Sequence, residues 1–273
     1  MACALPIRRP GYFNSDGRQM AQAHAADFSV SLAKTPADLH AAQRLRYDVF
    51  VTELGGSGPL VDHDEKLERD HLDPFFEHLL LTDIRSDKVV GVYRLMRAEK
   101  AVEAGGFYSA AEYDLSPLLA SGRNLLELGR SCLHPDYRGG VGMHVLWSAL
   151  AQYVKANGVE ILFGVASFHG TDMDRLAAPL SLLHERHLAP PELRVRALEK
   201  SFQSMNLLDE AQLDRKAAMR QIPSLIKAYL RLGGCVGEGA YVDHAFNTVD
   251  VCLIMDTTQI NTRQARIYGA TGA

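Results

Sequence analysis

The chain has 273 residues, a formal net charge of −4, 47% hydrophobic residues and 23% charged residues, the profile of an ordinary globular protein of one large domain or two small ones. That acidic balance argues against a general nucleic-acid binder. Cys3, Cys132, Cys235 and Cys252 form no CxxC and no close pair, so neither a disulfide framework nor a zinc site is expected, and a reducing compartment is the simplest reading.

Residues 1–25 lack periodicity and read as a flexible N-terminal arm. Their arginines follow the short apolar start, the reverse of a secretory leader. No run approaches the roughly 20 apolar residues of a membrane span, so a cytoplasmic place is expected, with peripheral contact at the inner membrane left open. FSVSLAK alternates as a strand. TPADLHAAQRLRYDVFVTEL predicts a helix with Thr35 as N-cap ahead of Asp38, bringing Arg46, Phe50 and Glu53 to one face. GGSGPLVDHDEKLERDHLDPF is a long polar loop of the kind kept for function. EHLLLTDI, KVVGVYRLMRA and NLLELGRSCLH are strands. HPDYRGGVGM opens the helix VLWSALAQYVKANG, which ends at Gly158. VEILFGVASF is a strand, residues 171–232 read as mainly helical, and TVDVCLIMD is a final strand. With no repeat and no linker, the expectation is one α+β domain over residues 26–260, a helical insertion at about 171–232 and a tail at 261–273.

Charges inside apolar strands are costly to bury unless paired, so Arg94 in VGVYRLMR, and Glu127 with Arg130 in LELGRSCL, mark a site. In a regular strand Glu127 and Arg130 point to opposite faces. A bulge near Gly129 brings them together and frees backbone N–H groups. Glu127 is then the candidate general base. Asp70 and Asp73, in ERDHLD among arginines, form an ion-pair network or a plain solvated loop. Arg138, Gly139, Gly140 and Gly142 make a glycine turn at a helix N-terminus, a phosphate cradle or simply a tight turn. His63 between Asp62 and Asp64 reads as an exposed acidic loop, and Cys132 as a small buried apolar residue.

The series LRYDVFVTEL, ERDHLD, VGVYRLMR and LELGRSCL resembles the acyl-homoserine-lactone synthases and the ornithine-lipid N-acyltransferases, both variants of the GNAT acyltransferase fold. SFHGTD at 167–172 and the stretch from Pro223 to Asp256 resemble the second group, and the likeness spans about residues 28–258. It implies a central mixed β-sheet flanked by helices, and transfer of a 3-hydroxyacyl group from acyl carrier protein to the α-amine of an amino acid, L-ornithine first. The product would be a lyso-aminolipid. It also implies Glu127 and Arg130 as catalytic residues, and Arg46, Phe50, Asp70, Asp73, Arg94, Ser167 and His169 around the substrate. Arg138, Gly139, Gly140 and Gly142 would hold the phosphate of the carrier's pantetheine arm, with no bound cofactor and no metal. The family's glycine three residues after the arginine is Val141 here, a departure that weakens coenzyme A as the donor and suits the single phosphate of a carrier protein. Alternatives are glutamine or another amino acid as acceptor, a homoserine-lactone synthase (disfavoured because Gly55-Gly56 stands where those enzymes have tryptophan) and a non-catalytic carrier-protein or lipid-binding module. A basic docking surface for the acidic carrier is expected among Arg94, Arg97, Lys100, Arg138, Arg194, Arg196 and Lys200. The helix PSLIKAYLRLGG is expected to pack on the sheet, with a membrane surface as its alternative.

Overall fold

The computed structural model describes residues 24–58 and 61–260. Most of the expected N-terminal arm, and the C-terminal tail, lie outside the described residues. Strand β1 (Phe28–Leu32) leads into α1 (Pro36–Arg46). The Thr35 hydroxyl accepts from the Asp38 N–H at 3.2 Å, and the Asp38 carboxylate accepts from the Thr35 N–H at 3.0 Å. This reciprocal cap satisfies two donors that a helix start otherwise orphans.

The sequence pattern predicts one unbroken helix here. The structure instead widens it into π-helical turns over Tyr47–Glu53, where the Leu54 N–H reaches the Val49 carbonyl at 3.1 Å. Apolar periodicity registers a buried stripe but not whether the backbone bonds four or five residues back.

The hairpin β2 (Val61–Asp62) and β3 (Leu67–Glu68) follows, then β4 (Glu77–Asp83), β5 (Lys88–Arg97) and α2 (Ala98–Ala104). Next come β6 (Tyr113–Asp114), α3 (Ser116–Ala120), β7 (Leu125–Leu133), α4 (Gly142–Ala156) and β8 (Ile161–His169). The expected insertion contains α5 (Met173–His187), α6 (Arg215–Gln221) and α7 (Ser224–Arg231), but also β9 (Arg196–Ala197) and β10 (Phe202–Gln203). Two-residue strands are too short to leave an alternating signal. The chain closes with β11 (Cys235–Val236), β12 (Ala240–Asp243) and β13 (Thr248–Asp256).

Among the described residues the main sheet has nine strands in the order β1-β4-β5-β7-β8-β13-β12-β10, with β11 also on β13. Its β7–β8 pair is parallel and its other pairs are antiparallel. One face packs Leu81, Leu126 and Leu162 against Leu146 and Trp147 of α4 and Ile226 and Tyr229 of α7. The helix left between sheet and membrane by its sequence therefore lies on the sheet, and no helix among the described residues is long and apolar enough to cross a membrane. The opposite face holds Met96, Leu125, Phe163, Cys252 and Ile254, and α1 sits there over Leu80, Val92 and Cys132.

The β7–β8 ladder is the fold's one deliberate break. It pairs Leu125 with Ile161 through Glu127 with Phe163 and then stops, although both strands run on. A Cβ at Gly164 would lie 2.1 Å from the Leu128 carbonyl oxygen. Only hydrogen fits where the strands part. Beyond that point Tyr93, Leu128, Gly164, Ala166, Tyr229 and Leu253 line a mainly apolar cavity.

Gly164→Ala is expected to destabilise the protein by about 1–3 kcal/mol through overpacking against backbone that has no rotamer to change. Gly140→Ala, where nothing lies within 4 Å of the added methyl, should stay within about 0.5 kcal/mol. Thermal unfolding followed by circular dichroism, run on both variants beside the parent, makes the comparison.

Candidate active site

Register between β5 and β7 shifts between Val92, which faces Cys132, and Arg94, which faces Gly129. One residue of β5 therefore opposes two of β7, and Arg130 takes the left-handed conformation with φ +49°. This is the bulge anticipated near Gly129. It turns Arg130 toward the face that carries Glu127, over the rings of Tyr108 (5.0 Å) and Phe246 (5.7 Å).

Beneath Arg130 lies a network of buried charge. Arg46 and Arg94 are both 0% exposed. Arg46 donates to Asp73 Oδ1 at 2.7 Å and, through Nε, to Glu68. Arg94 donates to Asp70 at 2.8 Å and to Asp73 at 2.8 Å, while its guanidinium lies 4.1 Å from the centre of the Phe76 ring. Arg130 Nε donates to the other oxygen of Glu68 at 3.1 Å, and Gln43 donates to Asp73 Oδ2 at 2.8 Å. Burial pushes the Asp73 carboxyl up, but Arg46 and Arg94 outweigh it and hold it well below the usual range. Glu68 and Asp70 are lowered in the same contest between burial and neighbouring arginines. ERDHLD is thus an ion-pair network rather than a solvated loop, and its acids are taken by protein cations. Arg94, being fully buried, belongs to no docking surface.

Glu127 is 1% exposed. Its two oxygens accept from the backbone N–H groups of Tyr108 at 2.8 Å and Ser109 at 2.6 Å. Burial raises its carboxyl above the ordinary value, against the pull of those bonds. The turn that Glu127 holds leads to Glu112, a residue the sequence reading missed. Glu112 is 6% exposed and Asp250 on β13 is 4% exposed. Glu112 Oε2 and Asp250 Oδ1 are buried without a hydrogen-bond partner, as is Arg130 Nη2. Burial first, then the charges of Asp250 and Asp243, push Glu112 up to about 9. Burial likewise lifts Asp250 to about 6, opposed by the Ser167 hydroxyl.

Of the other expected site residues, Ser167 stands directly opposite Asp250 across β8 and β13. Phe50 packs half-buried beside the α1 cluster, and His169 is exposed. Arg138 is engaged by Glu53 through both terminal nitrogens at 2.5 and 2.6 Å. Gly139 has φ +72° and Gly142 begins α4, so the glycine turn does feed a helix N-terminus. Burial pushes the Cys132 thiol up to about 12, which removes it as a thiolate nucleophile. The His63 ring meets the Tyr47 hydroxyl at 3.0 Å. Among the described residues no three His, Cys, Asp or Glu side chains are placed to hold a metal ion.

Comparison with known proteins adds a second line. Residues 45–148 match the family model described as an acetyltransferase (GNAT) domain. An L-ornithine N(alpha)-acyltransferase of Rhodobacter capsulatus is 56% identical over 246 residues, covering 88% of this chain and 94% of that protein. One from Brucella abortus is 39% identical over 265 residues, covering 94% of each. Among solved structures, a CoA-dependent acyl-homoserine lactone synthase, BjaI, with SAM and isopentyl-CoA, is similar at 16% identity and a TM-score of 0.48, over 85% of this chain and 81% of that one.

Removing one member of a buried ion network strands its partners, at a cost of about 3–5 kcal/mol. Asp73→Asn should lose that much in urea unfolding at pH 7. The folded-state values of Asp73, Asp70 and Glu68 are depressed. Their stabilisation is therefore present above the unfolded carboxylate range and is lost as pH falls through the folded values. The parent's stability should drop more steeply on acidification below pH 5 than that of Asp73→Asn.

Proposed function

This chain belongs to the L-ornithine N(alpha)-acyltransferase family, an N-acyltransferase with a GNAT fold, and we propose that it transfers a 3-hydroxyacyl group from acyl carrier protein to the α-amine of L-ornithine, giving a lyso-ornithine lipid. In this reaction the amine nitrogen attacks the thioester carbonyl, the C–N bond forms, the C–S bond breaks, and the pantetheine sulfur leaves with a proton. A thioester is already activated, so the protein's work is positioning, proton removal and stabilisation of the oxyanion.

The parted β7–β8 ladder carries this reading. It leaves the edges of two parallel strands open between an apolar cavity on one face and the Glu127–Arg130 pair on the other. A thioester seated in the gap would have its acyl chain in the cavity and its carbonyl beside the free edge of β7. The cavity also holds a polar spot: the Tyr93 and Tyr229 hydroxyls lie 2.6 Å apart, and Tyr93 is also hydrogen-bonded by the Ser131 side chain. A hydroxyl on the acyl chain would find donors and acceptors there. The turn of Gly139 and Gly140 ahead of α4 suits one phosphate of a pantetheine arm. With Arg138 already engaged by Glu53, the turn offers less to the several phosphates of coenzyme A.

On the acceptor face, Glu127 takes the amine proton, directly or through a water. Its raised carboxyl places it nearer working pH than a free glutamate. The Nη2 of Arg130, which makes no hydrogen bond, is the anchor for the acceptor's carboxylate. Arg46, Asp70 and Asp73 brace that anchor, and Arg94, which shares Asp70 with Arg130 and whose Nε and Nη2 also lack a hydrogen-bond partner, stands next to it in the network.

Purified protein with 3-hydroxyacyl carrier protein and a panel of free amino acids, analysed by mass spectrometry, is expected to yield an N-acyl product from ornithine. Product from glutamine or another amino acid alone would replace the acceptor, and no product from any amine would overturn the reading. Glu127→Gln should lower kcat by about 10²–10⁴-fold with unfolding measured in parallel. The parent's kcat/KM should show an acid limb above the ordinary glutamate range that the variant lacks.

A further inference from the structure

Glu112 and Asp250 are buried acids without a protein cation to answer them. Elsewhere in this molecule buried carboxylates are answered: Asp73 and Glu68 each meet two arginines. Glu112 reaches its position through two fixed points. The turn before it is held by Glu127 through the Tyr108 and Ser109 N–H groups. The residue after it, Tyr113, donates its hydroxyl to the carbonyls of Gly239 at 3.1 Å and Asp250 at 2.9 Å. Glu112 and Asp250 each feel the other's neighbourhood of charge: Asp250, Asp243 and Glu127 act on Glu112, and Asp243 acts on Asp250. Arg130 acts on both, yet neither acid forms an ion pair with it among the described residues. Its Nη2 instead is buried without a hydrogen bond, 4.0 Å from Asp70 Oδ2.

Buried polar atoms left without partners are costly, and native proteins keep few of them. Here oxygens of Glu112 and Asp250 and a guanidinium nitrogen of Arg130 are all buried without a hydrogen-bond partner, and the charge of Arg130 acts on both acids. A ligand that satisfies all three carries one carboxylate and at least one ammonium. If the reacting amine is to lose its proton to Glu127, the cation that answers Glu112 and Asp250 must be a second one. A metal ion is a poor candidate, since no three ligating side chains converge among the described residues.

We propose that Glu112 and Asp250, with Ser167 beside Asp250, form the subsite for the side-chain ammonium of a diamino-acid acceptor, and so select a dibasic amino acid over a neutral one of the same length. The assignment rests on the acyl transfer to ornithine proposed above. Arg130 holds the carboxylate, the α-amine lies toward Glu127 and the thioester, and the terminal ammonium enters between the two acids. Specificity of this sort is strong because a neutral side chain leaves both carboxylates unanswered. The two acids are positioning and selecting groups, and take no proton from the reacting nitrogen.

The test is the preference for ornithine over norvaline, which is the same carbon chain without the terminal amine. kcat and KM are measured for both acceptors with saturating 3-hydroxyacyl carrier protein, in the parent, Glu112→Gln and Asp250→Asn. The expected result is a rise in KM for ornithine and a fall of about 10–100-fold in the ornithine-to-norvaline preference for each variant. Parent activity on ornithine with an unchanged preference in both variants would overturn the subsite while leaving the acyl transfer intact. Equal losses on both acceptors would also overturn it, assigning the acids a structural role. No product from the parent with either acceptor would instead sink the underlying function. Thermal unfolding of the variants separates misfolding from lost recognition. Asp250 is ionised at pH 8 and Glu112 largely protonated, so Asp250→Asn removes buried unanswered charge and is expected to melt at or above the parent's temperature, and Glu112→Gln, which replaces a mostly neutral acid, close to it. If one variant nevertheless fails to fold, the other decides the question.

Discussion

A charge that cannot reach water must be met by another charge, and this requirement organises the face of the sheet that carries Glu127. Arg46 comes from α1, Glu68 from β3, Asp70 and Asp73 from the loop that follows, Arg94 from β5 and Arg130 from the bulge of β7. No two neighbours in this chain of contacts belong to one regular element. The network therefore joins parts that apolar packing alone would let slide. Well-packed aliphatic side chains of similar volume could give equal or greater stability. What they would not give is directional bonding to Arg130 Nε, which fixes where the far end of that guanidinium lies.

From that anchored arginine the rest of the site follows in sequence. The left-handed turn at Arg130 puts its guanidinium over the Tyr108 ring, Glu127 holds the Tyr108–Ser109 turn, and that turn delivers Glu112. Along this path the balance of electrostatics reverses. The lower half lowers the pKa of its acids because arginines outweigh burial. The upper half raises them because burial outweighs the hydrogen bonds and the charge of Arg130 that oppose it. A protein under selection for stability alone would not keep the second arrangement, and stability is often conceded where chemistry is done.

Much of this was legible in the chain. The Thr35 cap, the long strands and the bulge near Gly129 follow from local rules, because a cap, an alternation and a strand glycine each leave a short-range mark. The ion-pair network was legible only in part: ERDHLD by itself left a network and a solvated loop both open, and Arg46 and Arg94, 27 and 21 positions from Asp73, entered it through the resemblance. Glu112 left no such mark. It sits in a short polar segment between helices, and its place is set by Tyr113 bonding to a residue 137 positions away. Asp250 is a harder lesson. An acid in the middle of TVDVCLIMD carries the same signal that singled out Arg94, a charge inside an apolar strand, and that rule applied evenly would have found it. The widened turns after α1 and the brief strands β9 and β10 depend on tertiary packing and have no sequence periodicity to betray them.

Where β7 and β8 separate is decided by main chain meeting main chain, the Leu128 carbonyl against the α-carbon of Gly164. Side chains have almost no say in it. The lining of the apolar cavity is another matter, since Ala166, Tyr229 and Leu253 can each change size without moving that point. Sequence drift in this family therefore has two unequal freedoms. The lining of the cavity is open to gradual substitution, one residue at a time. The point at which the strands part holds only while position 164 keeps a bare α-carbon, and is closed to it.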